Sequence, residues 1–263
     1  MKEMRKIGYK KGFTLVELSL SIAFISILSI TIALIINDAI STYRRGLTLN
    51  QINTVGMDLV DDIRAAVQNS PSKAVEEDFV FKKKAEVSVD NDDNWINVPI
   101  YGTFCTGSYS YIWNSGYLYS NEYGKEIEMN PVKLKYNNET EIKEGFRLLK
   151  VKDRSRAVCK EVRGDSDIID ISGYDVLVEE PVILLANDTS NSLALYDLSV
   201  AAPASNTLGN SLFYSISFIL GTVQGGINVM SSGNFCKAPA EYNSNFDYCA
   251  INKFNFAAQA TGG

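Results

Sequence analysis

KKGFTLVELSLSIAFISILSITIALII, residues 10–36, contains one acid, Glu17, and no base after its two leading lysines. From Phe13 to Ile36 it has 24 residues. As a helix rising 1.5 Å per residue they reach about 36 Å, enough to cross a bilayer core of about 30 Å. A carboxylate inside such a segment costs about 2–3 kcal/mol or more unless it is neutralised, so Glu17 calls for a positive partner. Upstream, Lys2, Arg5, Lys6, Lys10 and Lys11 against Glu3 give residues 1–12 a charge of +4. A basic flank stays cytoplasmic and sends the rest of the chain outward. An ordinary secretory signal places its small-residue cleavage site after the apolar run. Here the glycine, Gly12, stands before it. A cut after Gly12 would expose the amine of Phe13, which could then answer Glu17.

The string KGFTLVE followed by the apolar run resembles the N-terminal signal of type IV prepilins and of type II secretion pseudopilins, closely over residues 8–40. The resemblance implies that a prepilin peptidase cleaves after Gly12, removes residues 1–12 and N-methylates Phe13. It also implies that Glu17 pairs with the terminal amine of a neighbouring subunit during assembly. Many major pilins kink this helix at a proline. Leu34 stands at that place here, and no proline precedes Pro71. A straighter helix better matches minor pilins and pseudopilins.

The helical pattern continues past the apolar run. Ile36, Ile40, Tyr43 and Leu47 are spaced 4, 3, 4, and Ile52, Val55, Leu59, Ile63 and Ala66 resume the stripe. Asn69-Ser70-Pro71 ends it, because the residue before proline disfavours helix. The spacing predicts one helix over residues 13–69, with 13–36 in a membrane or filament core and 37–70 as an amphipathic second half. Ser19, Ser26 and Ser29 share a face on which another helix could approach closely.

Residues 71–263 show no second long helix. GSYSYIWNSGYLYS, residues 107–120, reads as a hairpin turning at Asn114-Ser115-Gly116. Further strands are predicted at Val182–Ala186, Leu193–Leu198, Leu212–Leu220, Gly226–Met230 and Phe254–Ala258. Tyr109, Tyr111 and Trp113 alternate and read as one packed sheet face. One long helix followed by many strands predicts an α+β fold, the helix lying on an antiparallel sheet. The pilin resemblance implies the same arrangement.

Composition excludes several chemistries. The net charge of −6 leaves −10 on the 251 residues after the basic start, so bulk charge repels nucleic acid. The run Lys82-Lys83-Lys84 reads as a solvated face. The absence of histidine removes the commonest general base and zinc ligand, and no nucleophile–base pair is visible, so no enzyme is expected. Asp90-Asn91-Asp92-Asp93-Asn94 begins like a calcium loop, but Trp95 replaces the required glycine and Tyr101 the terminal glutamate. A polar turn is expected there, with no metal or other cofactor.

If the body is exported, the four cysteines read as two disulfides. Cys236 and Cys249 bracket KAPAEYNSNFDY, and a bridge there resembles the C-terminal disulfide loop of many pilins. Cys105 and Cys159 are then the remaining pair, and the sequence leaves other pairings open. The expected function is that of a minor pilin: a structural subunit supporting pilus assembly, adhesion or twitching. Its partners would be a prepilin peptidase, other pilin subunits and a membrane, with the body outside the cell. The alternatives are a type II secretion pseudopilin, and a pilin-anchored adhesin or DNA-uptake receptor.

Overall fold

The structure, a computed structural model, describes residue 12 and residues 14–70, 80–88, 95–117, 130–136, 142–162, 167–174, 180–186, 193–201, 212–223, 230–231, 235–236 and 250–260. In chain order, α1 (Leu15–Gln68) is followed by β1 (Val80–Ser88), β2 (Trp95–Cys105), β3 (Tyr109–Asn114), β4 (Lys133–Lys135), β5 (Ile142–Lys143) and β6 (Phe146–Lys152). Then come α2 (Ala157–Glu161), β7 (Ile168–Asp170), β8 (Val182–Ala186), β9 (Leu193–Ala201), β10 (Leu212–Thr222), β11 (Met230–Ser231), β12 (Phe235–Cys236) and β13 (Ile251–Ala260). The chain divides into two compact units, residues 1–44 and 45–263, and α1 begins in the first and ends in the second.

In the first unit the described residues are helical from Leu15 onward, and their side chains are exposed apart from a half-covered Ser41. The helix forms because nothing opposes it: the stretch holds neither proline nor a run of glycine, and its backbone groups satisfy one another. The hydroxyls within it do the same. Ser19 donates to the Val16 carbonyl, Ser21 to Glu17, Ser26 to Ile22 and Thr31 to Leu28, at 2.7–2.9 Å. Such back-bonding lets a hydroxyl sit in an apolar helix without an outside partner. The small face expected at Ser19 and Ser26 is therefore satisfied within its own helix.

In the second unit, the later part of α1 lies on antiparallel sheets, as an α+β fold requires. Its buried residues Ile52, Gly56, Leu59, Val60, Ile63, Ala66 and Val67 follow the spacing of three and four expected from sequence. They pack with Phe104, Tyr111, Trp113 and Leu148 of the central sheet and with Leu195, Tyr214, Ile216, Phe218 and Phe254 of a second sheet. The helix ends as Ser70 turns its hydroxyl back 2.6 Å onto the Ala66 carbonyl. Pro71 forbids a further turn.

The central sheet has the order β1-β2-β3-β6-β8, every neighbour antiparallel. The second, β13-β10-β9, is also antiparallel. A third small sheet, β5-β4-β7, contains one parallel pair, β4 with β7, where a single antiparallel sheet was expected. It covers the far face of the central sheet together with α2, around Ile112, Leu134, Phe146, Leu149, Val158 and Ile169. The central strands are thus buried on both faces. Tyr111 and Trp113 face α1, with Tyr109 packed beside them, while Ile112 faces the other way.

Two expectations are corrected here. The hairpin read at Asn114-Ser115-Gly116 does not form on β3, because both edges of β3 are already paired, with β2 and β6. The β2–β3 hairpin instead turns at residues 106–108, where Gly107 adopts φ 95° and the Thr106 N–H donates to the Tyr109 carbonyl at 2.8 Å. Asn114 ends β3, paired with Tyr101, and its side-chain amide is held outside any turn: Nδ2 donates to the Val132 and Phe146 carbonyls, and Oδ1 accepts the Val132 N–H. The lysine run is not simply a solvated face either. Lys82 Nζ lies 2.6 Å from Asp197 Oδ1 and joins β1 to β9. The expected strand at Gly226–Met230 lies outside the described residues except for Met230, and so does the Asp90–Asn94 turn.

Candidate functional site

The sequence points first to the start of α1. Gly12 is exposed and outside the helix. A Cβ built on it would meet no atom within 4 Å, and its backbone is not in the left-handed region. Neither packing nor backbone conformation therefore demands glycine at this position. Phe13 lies outside the described residues.

Thr14 and Glu17 close a reciprocal pair. The Thr14 N–H and hydroxyl each donate to Glu17 Oε2 at 2.9 Å, and the Glu17 N–H lies 3.2 Å from Thr14 Oγ1. The Thr14 carbonyl accepts the first helical bond, from the Leu18 N–H at 3.1 Å. This is a capping box, in which an N-cap hydroxyl and an acid three residues on satisfy each other's backbone N–H. The first turn of any helix leaves such donors open, and the positive end of the helix dipole favours a carboxylate there. Among the described residues the Glu17 carboxylate accepts from the N–H and hydroxyl of Thr14, in its own first turn. The pattern Thr14-Leu15-Val16-Glu17 carries that signal, and Thr14 is the residue that reading the acid alone overlooks.

On either side of Glu17 the helix presents an uncovered apolar surface, from Leu15 at 84% exposure through Phe24 at 68% to Ile36 at 51%. It is the one helix among the described residues long and apolar enough to cross a membrane. An exposed apolar surface of that extent marks a face suited to contact with a membrane or another protein.

The body holds three further clusters. Cys105, the last residue of β2, is joined by a disulfide to Cys159 of α2, with Cα atoms 6.3 Å apart. Cys236 stands on β12, while Cys249 and any bridge to it lie outside the described residues. Beside the disulfide, fully buried Asp153 accepts from the Ser110 and Ser155 hydroxyls and from the Ala157 and Val158 N–H groups, at 2.9–3.0 Å. These four donors satisfy the buried carboxyl group, and the two N–H bonds fix the start of α2.

The second cluster ties α1 to the central sheet. Asp62 accepts from Lys150 Nζ at 2.6 Å and from the Tyr111 hydroxyl at 2.8 Å, while Lys150 also sits 4.3 Å from the centre of the Tyr109 ring. Burial, and then the Asp62 charge, push the Tyr111 phenol well above its ordinary range. Tyr117, buried near Asp197, is raised to about 12.

The third is an open cleft of about 630 Å³ beside the small sheet, lined by Pro131, Lys133, Ile142, Glu144, Asp167 and Ile168. Its charges are engaged with each other: Lys133 pairs with Glu144 at 2.6 Å, and Asn130 donates to Asp167 at 3.3 Å. Among the described residues no three His, Cys, Asp or Glu side chains converge as a metal site would require. The contacts within these three clusters tie neighbouring elements of the body together. Comparison with known protein families, curated proteins and solved structures found no match.

Proposed function

We propose that the chain is a type IV pilin-like structural subunit, of the minor kind, made as a precursor and assembled through α1. The observation that carries the reading is the start of the helix. An uncovered apolar segment holds one acid, and just before it stands a glycine that the fold itself does not need. A glycine without an internal reason points to an external one, and close approach of an enzyme to the backbone is such a reason. In this reading a prepilin peptidase cuts between Gly12 and Phe13 and methylates the new amine. The basic start lies in the cytoplasm and the body outside. Glu17 then meets the terminal amine of a neighbouring subunit as lipid is exchanged for partner helices. The body of residues 71–263 supplies the surface that a tip or priming subunit presents. Leu34, at the place where many major pilins have a proline, supports a minor role over that of the bulk filament subunit.

The test is co-expression of the full chain with an active prepilin peptidase, followed by intact mass. The expected product lacks residues 1–12 and carries one methyl on Phe13. An unchanged mass overturns the reading. Gly12→Val should abolish the cut without lowering the melting temperature, since position 12 has open space. Glu17→Ala should be cut but should fail to enter filaments.

A further inference from the structure

We infer that Thr14 is a positioning residue for processing: by capping α1 it stops the helix one residue short of the Gly12–Phe13 bond and keeps that bond open to a peptidase. The inference rests on the cleavage reading above and adds a residue and a conformational requirement to it.

Peptidases take a substrate backbone in extended form, pairing its N–H and C=O groups with their own, as an added strand pairs with a sheet edge. A bond wound into a helix has those groups committed to i→i−4 partners. An apolar helix entering a membrane tends to propagate, because each added residue gains a hydrogen bond once a nucleus exists. Something must set its first residue. Here the Thr14 carbonyl accepts the first helical bond from Leu18, while the Thr14 hydroxyl faces the Glu17 N–H and the Glu17 carboxylate takes the Thr14 N–H. The Thr14 N–H, which an upstream extension of the helix would need for its own ladder, is thereby already used. Gly12 adds a weak helix former on the far side. The cap and the cut site are therefore two residues apart for a physical reason.

A competing role for Thr14 is direct recognition of its shape by the peptidase, and two kinds of substitution separate the roles. Thr14→Val keeps the shape and removes the cap. Thr14→Ser and Thr14→Asn keep a capping oxygen, and asparagine changes the shape. Each full-length precursor is incubated in membranes with limiting prepilin peptidase, and the initial rate of loss of residues 1–12 is followed by mass. Thr14→Val should be cut about five-fold more slowly than wild type, while Thr14→Ser and Thr14→Asn should stay within about two-fold of it. In the Thr14→Val precursor, the amides of residues 15–17 should gain protection from hydrogen exchange, because a helix extended upstream supplies them with carbonyl acceptors. If Thr14→Val is cut at the wild-type rate, or Thr14→Asn as slowly as Thr14→Val, capping does not govern the cut and this inference falls while the pilin reading stands. A wild-type chain that is not cut at all removes both.

Discussion

Gly56 of α1 and Phe254 of β13 share a space with no room for a methyl group: a Cβ at position 56 would lie 2.0 Å from the Phe254 Cζ and within 2.5 Å of both ε carbons. The contact sits in the core where α1 meets the β13-β10-β9 sheet, and Phe254 itself stacks on Phe218 with ring centres 5.0 Å apart. In an isolated helix, Gly→Ala would stabilise by about 1 kcal/mol. Here the ring must move against its own stack, and overpacking of this kind costs about 1–3 kcal/mol. Gly56→Ala should therefore lower the melting temperature of the full chain by several degrees, read by circular dichroism in detergent. A rise would mean that the helix gains more than the core loses.

Asp62 is the charge that fastens α1 to the central sheet. Asp62→Ala leaves the Lys150 ammonium and the Tyr111 hydroxyl facing each other without the carboxylate between them. Both charged partners keep some solvent, with side-chain exposures of 18% and 31%. The loss should accordingly be about 1–3 kcal/mol rather than the larger figure for a fully dry pair. Lys150→Met should cost less on the Asp62→Ala background than on wild type. Equal costs in a double-mutant cycle of melting free energies would show that the pair is not coupled.

The Cys105–Cys159 bridge spans 54 residues of sequence. In the chain-entropy treatment a loop of that length stabilises by about 4 kcal/mol. Replacing both cysteines with alanine, or reducing the protein, should lower the melting temperature by about 10 °C. The loss should appear in α2 and the small sheet first, since Cys159 packs among Val158, Val162 and Ile169. Uniform loss of amide protection across the body would contradict that localisation.

The buried tyrosines set an alkaline limit. Tyr117 is raised from an ordinary value of 10.0 to about 12, first by burial and then by Asp197, and Tyr111 moves further in the same direction. A phenol whose folded pKa lies above its unfolded one stabilises the fold fully below the unfolded value, and that contribution fades as pH rises through the folded value. Stability should therefore fall between about pH 10 and 12. The phenolate absorbance of these two tyrosines should appear only as the body unfolds. Tyr117→Phe should shift the alkaline midpoint upward. An unmoved midpoint would place the sensitivity elsewhere.

What the residues settled on their own is everything decided within a turn or two of backbone. The helix expected over 13–69 is observed from Leu15 to Gln68, because its 3.6-residue apolar stripe and the stop before Pro71 are local facts. The strand read at Val182–Ala186 is β8 to the residue, and Leu193–Leu198 and Phe254–Ala258 lie inside β9 and β13. The Thr14–Glu17 cap is equally local and was legible as a threonine three residues before an acid.

The tertiary structure decided which strands meet and what covers them. The turn-like Asn114-Ser115-Gly116 is not the turn on β3, because β6 comes from more than 30 residues away to take the edge that a hairpin would have used. Lys82 reaches Asp197 across 115 residues for the same reason, and Ser110 becomes a partner of buried Asp153, 43 residues away. Strand pairing and two-sided burial depend on groups distant in sequence, whose loop-closure cost and packing gain leave no mark on any short stretch of residues. Helix periodicity and caps are written within a single turn, and so they could be read there.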